Sequence, residues 1–434
     1  MKSVKPSAAS RKYALHAWLF FFAIALMPVM QPVVLELHEH TVIAADCLFV
    51  LSGIAWLYAI FARGTKVYGS VLQWPACAYL TACIAATIFS REPLTSVSSL
   101  AIDFYVVGLA FLTANLLRSE AAWNAFSRAW LAGTAITALA GTAGVALFYF
   151  GIRNGNFALS GYGSLPAGPY PRIRGLFLNA NMACNYLSVG LLLVLAAMRA
   201  GWLNRKMAVA LLALITIALW FTLSPGIGGA ALGVALWLRA RSKSAGRTLR
   251  ARWANGTGIF IAAFFLWALL PLPNQLEATG IRGLILHPHP SSRVECWATA
   301  IHTIHAHPVI GIGPGVNNPC PAFVTPNGEF IELGEAHNTY LNVAALKGIV
   351  GLAALLWLFW SLAARLRLSA GHDAASLMTL ALSIAFVEGV LYQGLSSSFE
   401  HTRHLWVVMG ALAASYDRNF NTASRPISGS ARTD

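Results

Sequence analysis

Apolar runs of about twenty residues, each closed by a short polar break, fill most of this chain. A helix rises about 1.5 Å per residue, so about 20 mostly apolar residues cross the hydrocarbon of a bilayer. That window predicts twelve spans, at 14–31, 42–62, 69–90, 95–117, 128–151, 176–198, 206–222, 224–240, 256–272, 338–364, 376–396 and 403–417. The two that meet at Pro225-Gly226 are short and read equally as one long, broken segment. Two polar stretches interrupt the rhythm. The first, 152–175, carries Asn154-Gly155-Asn156, Gly161-Tyr162-Gly163 and a run from Pro166 to Pro171, a density of turn formers that predicts irregular backbone. The second, 273–337, is longer and bears histidines; within it Ser292 to His307 lacks Gly and Pro and predicts a helix capped by Ser291 or Ser292. The expected organisation is nine spans over 1–272 with the smaller loop at 152–175, a large loop at 273–337, three spans over 338–417 and a disordered tail at 418–434.

Composition agrees with that pattern. Hydrophobic residues make up 57% of the 434 and charged residues 11%, against roughly 25% charged in soluble domains. The fold class expected is therefore an all-α polytopic membrane protein. Lys and Arg number 30 against 16 Asp and Glu. They cluster in short loops, with no basic module interleaved with aromatics, so nucleic acid is not an expected partner. With the N-terminus inside, 22 of them fall on the cytoplasmic side and 7 outside, Lys347 being left within a span. Such a bias places both termini in the cytoplasm. The first run follows Lys2, Lys5, Arg11 and Lys12, and no small-x-small site closes it, so it reads as a span and not a cleaved leader.

All seven outer basic residues are arginines: Arg91, Arg153, Arg172, Arg174, Arg282, Arg293 and Arg403. A guanidinium offers a planar fork suited to phosphate, where lysine is a point charge. Chance, or anchoring to lipid headgroups, is the plain alternative. Arg172 and Arg174 precede Gly175, Asn179 and Asn181 where an outer loop enters span six. Helix starts add N–H groups and a positive dipole end for an anion. Arg293 opens the predicted loop helix near Glu295, where a surface ion pair is the bland reading. His337 closes the large loop beside Glu335 and Asn338, and a histidine there is a candidate general base or simply a cap. Gly311-Ile312-Gly313-Pro314-Gly315 lacks the Lys-Ser/Thr of a phosphate loop and reads as a sharp turn approaching a ligand or a neighbouring helix. His287, His289, His302, His305 and His307 suggest ligand clusters, but no acid or thiol stands at a spacing that completes a metal site. No metal and no cofactor is expected. Cys47, Cys77, Cys83 and Cys184 lie in apolar runs as expected packing residues, and Cys296 and Cys320 share the large loop, where an oxidising compartment would allow a disulfide.

Arg174-Gly175 with Asn181, the run from Arg293 to Pro308-x-x-Gly311-x-Gly313-x-Gly315, and His337-Asn338-x-x-Leu341 together resemble the O-antigen ligase/polymerase superfamily. The layout is most similar to the lipopolysaccharide O-antigen ligases, with twelve spans and one large periplasmic loop between spans nine and ten, an architecture similar to GT-C-type membrane glycosyltransferases. The resemblance covers the chain from about residue 170 to 350. It departs at Ser224-Pro225-Gly226, where Ser-Arg-Gly is expected in many relatives, which leaves one phosphate-binding arginine unaccounted for.

The resemblance implies a bacterial inner-membrane enzyme acting at the periplasmic face. The implied donor is a polysaccharide on undecaprenyl pyrophosphate, the implied acceptor a sugar hydroxyl of lipid A-core, and the implied mechanism inverting and metal-independent. Developing charge on a lipid pyrophosphate needs preorganised cations, and Arg174 and Arg293 are the first candidates, with Arg172 behind them. His337 would take the hydroxyl proton; Asn338 or Glu335 would orient it, and Asn181 and Glu295 complete the candidate substrate site. Membrane lipids would surround the spans. Two readings share this chemistry, a repeat-unit polymerase and a protein O-oligosaccharyltransferase. A secondary transporter or flippase is the rival of another class. It predicts midplane charges and paired halves, and only Asp103, Lys347 and Glu388 lie deep in spans, with no twofold pattern.

Overall fold

A computed structural model describes residues 14–37, 40–152, 158–160, 171–242, 256, 259, 260, 263, 291–318, 323, 324, 330, 331, 334–366, 373–396 and 401–423. It is mostly helical. The helices are α1 (Leu15–Leu26), α2 (Ala44–Arg63), α3 (Gln73–Ile88), α4 (Pro93–Leu116), α5 (Glu120–Tyr149), α6 (Ala180–Arg199), α7 (Arg205–Thr222), α8 (Gly226–Ser242), α9 (Ser291–Ala306), α10 (Thr339–Ala363), α11 (Ala374–Glu388) and α12 (Arg403–Ala423). A π-helical segment, Gly389–Gln393, continues α11.

Eleven of the twelve expected spans meet a helix. The ninth, 256–272, lies almost wholly outside the described residues, within which Gly256, Ile259, Phe260 and Ala263 are helical and exposed. Seven of the described helices are long and apolar enough to cross a membrane, with α1 and α8 shorter apolar helices beside them. The predicted loop helix is α9. Three short antiparallel ladders occupy stretches expected as loop: β1 (Leu35–Leu37) with β2 (His40–Val42), β3 (Leu159–Ser160) with β4 (Arg172–Ile173), and β5 (Phe323–Val324) with β6 (Phe330–Ile331). They pair backbone groups that would otherwise need water.

α6 is the hub. Every residue from Ala183 to Val194 is buried, because α5, α7, α8 and α11 surround it, as befits a helix apolar on all sides. α2 and α7 instead turn large side chains outward, Phe61 and Trp220 among them. Cys83 and Cys184 are buried as expected, but Cys47 and Cys77 are exposed and fill no core. In each case the apolar run is a membrane signal and does not say which face is protein. Small residues set close approaches between elements: the position of a Cβ on Gly141 would lie 2.6 Å from Ile173 Cγ2, so β4 rests directly on α5.

α10 is broken at Gly348, where φ is +67° and ψ −177°. The run after α9 occupies the break. Ile312 N–H donates to Ala345 C=O at 3.1 Å and Gly313 N–H to Leu346 C=O at 2.9 Å, while Ile349 N–H donates to Pro308 C=O at 2.9 Å. Backbone freed within a membrane helix is tolerated where other protein satisfies it. The glycine-rich run is therefore a packing device, approaching a neighbouring helix closely. A Cβ on Gly311 would lie 2.4 Å from the Leu346 carbonyl carbon, and one on Gly348 2.0 Å from Val309 O. Beside the break, buried Lys347 donates to both Asp103 oxygens at 2.8 and 2.9 Å and to Tyr79 Oη at 2.7 Å. The two deep charges of spans four and ten thus neutralise each other within the bundle.

Candidate active site

Two polar clusters lie at the bundle end where α1, α7 and α11 finish and α6, α8 and α10 begin. The first forms around β4. Ladder pairing of Ile173 with Leu159 fixes the strand, and half-buried Arg172 reaches from it to the α7–α8 corner. Its Nε donates to Thr222 C=O at 2.9 Å and its Nη2 to Asn181 Oδ1 at 3.3 Å. Asn181 Oδ1 also accepts from Ser224 Oγ at 2.8 Å. Arg174, two residues on, directs Nη2 toward Gln31 Oε1 at 3.5 Å, on the segment that leaves α1. Asn179 is the N-cap of α6, accepting from Met182 N–H at 2.8 Å, so its side chain serves the helix.

The second cluster sits at the mouth of α10. Asn338 is the N-cap of that helix; its Oδ1 accepts from Tyr340 N–H at 3.1 Å and Leu341 N–H at 3.2 Å, and the residue is buried. Asn338 Oδ1 is thus occupied by the cap. His337, one residue earlier, carries Nδ1 at 3.4 Å from Glu335 Oε1, and both side chains are partly exposed, at 28% and 39%. Glu335 is therefore the partner that the geometry supplies. His337 has φ +46°, a conformation that costs a non-glycine residue about 1–3 kcal/mol and concentrates at functional sites. Among the described residues Leu223, with φ +49°, is the other such non-glycine position, and it adjoins Ser224 in the first cluster.

The π-helical segment links the clusters. Tyr340 Oη donates to Val390 C=O at 2.6 Å, and the same segment packs on α8, where a Cβ on Gly229 would lie 3.2 Å from Tyr392. Such insertions recur at functional sites. The fold thus joins Arg172 to Asn181 and His337 to Glu335, and holds Arg174 apart against Gln31. Arg293 and Glu295 lie near the start of α9, and their side chains fall outside the described residues.

The other outer arginines divide. Arg403 binds Asp46 through Nε and Nη2 and the Thr41 C=O through Nη2, holding α12 to α2. Arg91 pairs with His307. Arg153 and Arg282 fall outside the described residues. Cys296 is disulfide-bonded, while Cys320 falls outside the described residues. Among the described residues no group of three His, Cys, Asp or Glu is placed to hold a metal ion. Gln31, Thr222 and Ser224 were not picked out as site residues from the sequence. Ser224 carried a signal, since it belongs to the stretch that departs from the expected motif; Gln31 carried none.

A family model described as O-antigen ligase matches residues 187–356, a stretch that contains α9 and His337 and begins after Arg174 and Asn181. An O-antigen ligase of Pseudomonas aeruginosa is 27% identical over 421 residues, covering 89% of this chain and 94% of the relative. No solved structure matches.

Proposed function

We propose that this chain, which resembles the O-antigen ligase superfamily in sequence along most of its length, is itself an O-antigen ligase. It takes a polysaccharide from undecaprenyl pyrophosphate and joins it to a sugar hydroxyl of lipid A-core at the periplasmic face of the inner membrane, with both termini in the cytoplasm. The observation that carries the reading is the His337–Glu335 pair at the mouth of α10, inside the family-matched stretch.

The acceptor hydroxyl oxygen attacks the anomeric carbon from the face opposite the pyrophosphate. The C–O bond to the pyrophosphate breaks and its electron pair leaves with the phosphate oxygen. His337 takes the hydroxyl proton, and the Glu335 carboxylate orients the ring and stabilises the imidazolium. Arg174 and Arg293 bind the leaving pyrophosphate, a task fixed guanidinium groups perform without reorganising. Arg172 and Asn181, tied to Ser224 and Thr222, hold that wall in place. Charge stabilisation rests on these arginines and needs no divalent ion.

The test is a lipopolysaccharide gel from cells lacking the gene, complemented with wild type or His337→Ala. Wild type restores the whole ladder; His337→Ala is present in the membrane but leaves core without polymer, and undecaprenyl-linked long chains accumulate. Single repeats still attached to core would assign the polymerase reaction instead. An unchanged ladder would point to protein glycosylation or transport.

A further inference from the structure

At the end of the bundle opposite the two clusters, the first turn of α1, the segment after α2 and the α4–α5 junction enclose a cavity of about 350 Å³. Its position follows from α1 alone: His16 lies in the first turn, whereas Gln31, the partner of Arg174, follows the last. Lys66, Arg118 and His16 line it together with Thr65 and Ser119, and no carboxylate is among the described lining residues. The Arg118 guanidinium lies 4.6 Å from the centre of the Tyr68 ring, and Tyr68 N–H donates to Asn115 Oδ1 at 2.8 Å. Arg118 is therefore held on a fixed frame.

A second hollow, about 320 Å³, runs between α2 and α4 and is lined by apolar side chains such as Phe49, Leu57 and Phe104. Trp56 lines both, so the polar hollow and the apolar one adjoin at its side chain. Two glycines keep the groove open: Gly53 and Gly108 line it, and a Cβ added to either meets nothing within 4 Å.

We infer that this composite site holds one anionic phospholipid, its phosphate against Lys66 and Arg118 and one acyl chain in the groove between α2 and α4. Charge selects the headgroup, since basic pockets between membrane helices attract anionic lipids. The adjoining apolar groove selects a lipid over a free anion, which would leave that half empty. The site is separate from the transfer chemistry, so its fate does not depend on the proposed activity.

The test uses the full chain purified in mild detergent. Native mass spectrometry counts the phosphatidylglycerol and phosphatidylcholine retained from equal mixtures with identical acyl chains. Wild type retains phosphatidylglycerol in preference. Lys66→Gln lowers that preference roughly fivefold, the effect of one basic group near an anionic headgroup. Gly108→Leu, whose Cβ meets nothing within 4 Å and whose isobutyl group enters the groove, lowers retention of phosphatidylglycerol with Lys66 intact. Equal retention of the two lipids by wild type, or unchanged retention in both variants, overturns the inference. Glycerol 3-phosphate protecting the chain from thermal unfolding as well as the lipid does would make this a free-anion pocket, and would also overturn it.

Discussion

His337 Nδ1 lies 3.4 Å from Glu335 Oε1, across a single intervening alanine, and the backbone bends through a left-handed residue to bring them together. In the proposed mechanism the other ring nitrogen, Nε2, is the atom that faces the substrate. Proton transfer by a positioned side chain contributes about 10²–10⁴-fold, so His337→Ala should lower ligation by that range. Glu335→Gln keeps the shape and removes the charge; its rate should fall about tenfold, or about 1.4 kcal/mol. Rates from purified protein with donor and acceptor lipids check both. Equal losses would mean the carboxylate is as necessary as the base, and no loss in Glu335→Gln would remove it from the mechanism.

Arg172 and Arg174 should separate. Arg172 is tied to Thr222 and Asn181, and hydrogen bonds from a charged donor contribute about 1.5–3 kcal/mol. Arg172→Lys should therefore lower the unfolding temperature as well as the rate. Arg174 has the longer 3.5 Å contact to Gln31; Arg174→Lys should lower the rate by more than its effect on the melting curve accounts for. Thermal unfolding in detergent beside the transfer assay distinguishes them.

Much of this architecture was legible in the chain and some was not, for physical reasons. Apolar runs report burial in lipid or protein without distinguishing the two, so helix positions were found while the exposure of Cys47 and Cys77 was not. The Gly-free stretch gave α9 because local signals suffice there. Arg172 and Asn181 sit nine residues apart, and their sequence grouping survives in the fold. Their link to Ser224, 43 residues from Asn181, depends on how α7 and α8 turn, which no local pattern encodes. Asn338 was read for its chemistry, and its place before a helix also favoured the cap that its Oδ1 makes. The break at Gly348 was hidden because α10 stays apolar on both sides of it.

Gly348→Ala should be among the most damaging small substitutions. The added Cβ would meet Val309 O at 2.0 Å, in a backbone conformation that alanine disfavours. Left-handed backbone alone costs about 1–3 kcal/mol, and the clash adds to it. The Pro308–Gly313 run should leave the α10 break, and limited proteolysis should cut near Pro308 in the variant but not in wild type. Gly108→Ala, with nothing within 4 Å of its Cβ among the described residues, should be silent and serves as control.

Lys347 and Asp103 are 2% and 0% exposed, so removing one leaves the other charged and buried. Lys347→Met should destabilise by about 3–5 kcal/mol. Asp103→Asn with Lys347→Met should recover much of that loss, because no lone charge remains. Melting temperatures of the two singles and the double measure this. If the double is as unstable as the singles, the pair positions the break and does more than neutralise itself.

The contact between Ser224 and Asn181 decides whether the missing motif arginine matters. Here Pro225 occupies that position and is buried, while its neighbour Ser224 binds Asn181 at 2.8 Å, and Asn181 in turn binds Arg172. If this chain of contacts supports the arginine wall, Ser224→Ala should lower stability by about 1 kcal/mol and also lower the rate. Asn181→Ala should do the same, and the double variant should lose less than the sum, a coupling of about 0.5–1.5 kcal/mol. Additive losses in rate would mean that Ser224 only caps the start of α8, where its Oγ accepts from Gly226 N–H at 3.2 Å. Coupled losses would place the α7–α8 corner in the wall that faces the pyrophosphate, with Arg172 in the place left by the absent arginine.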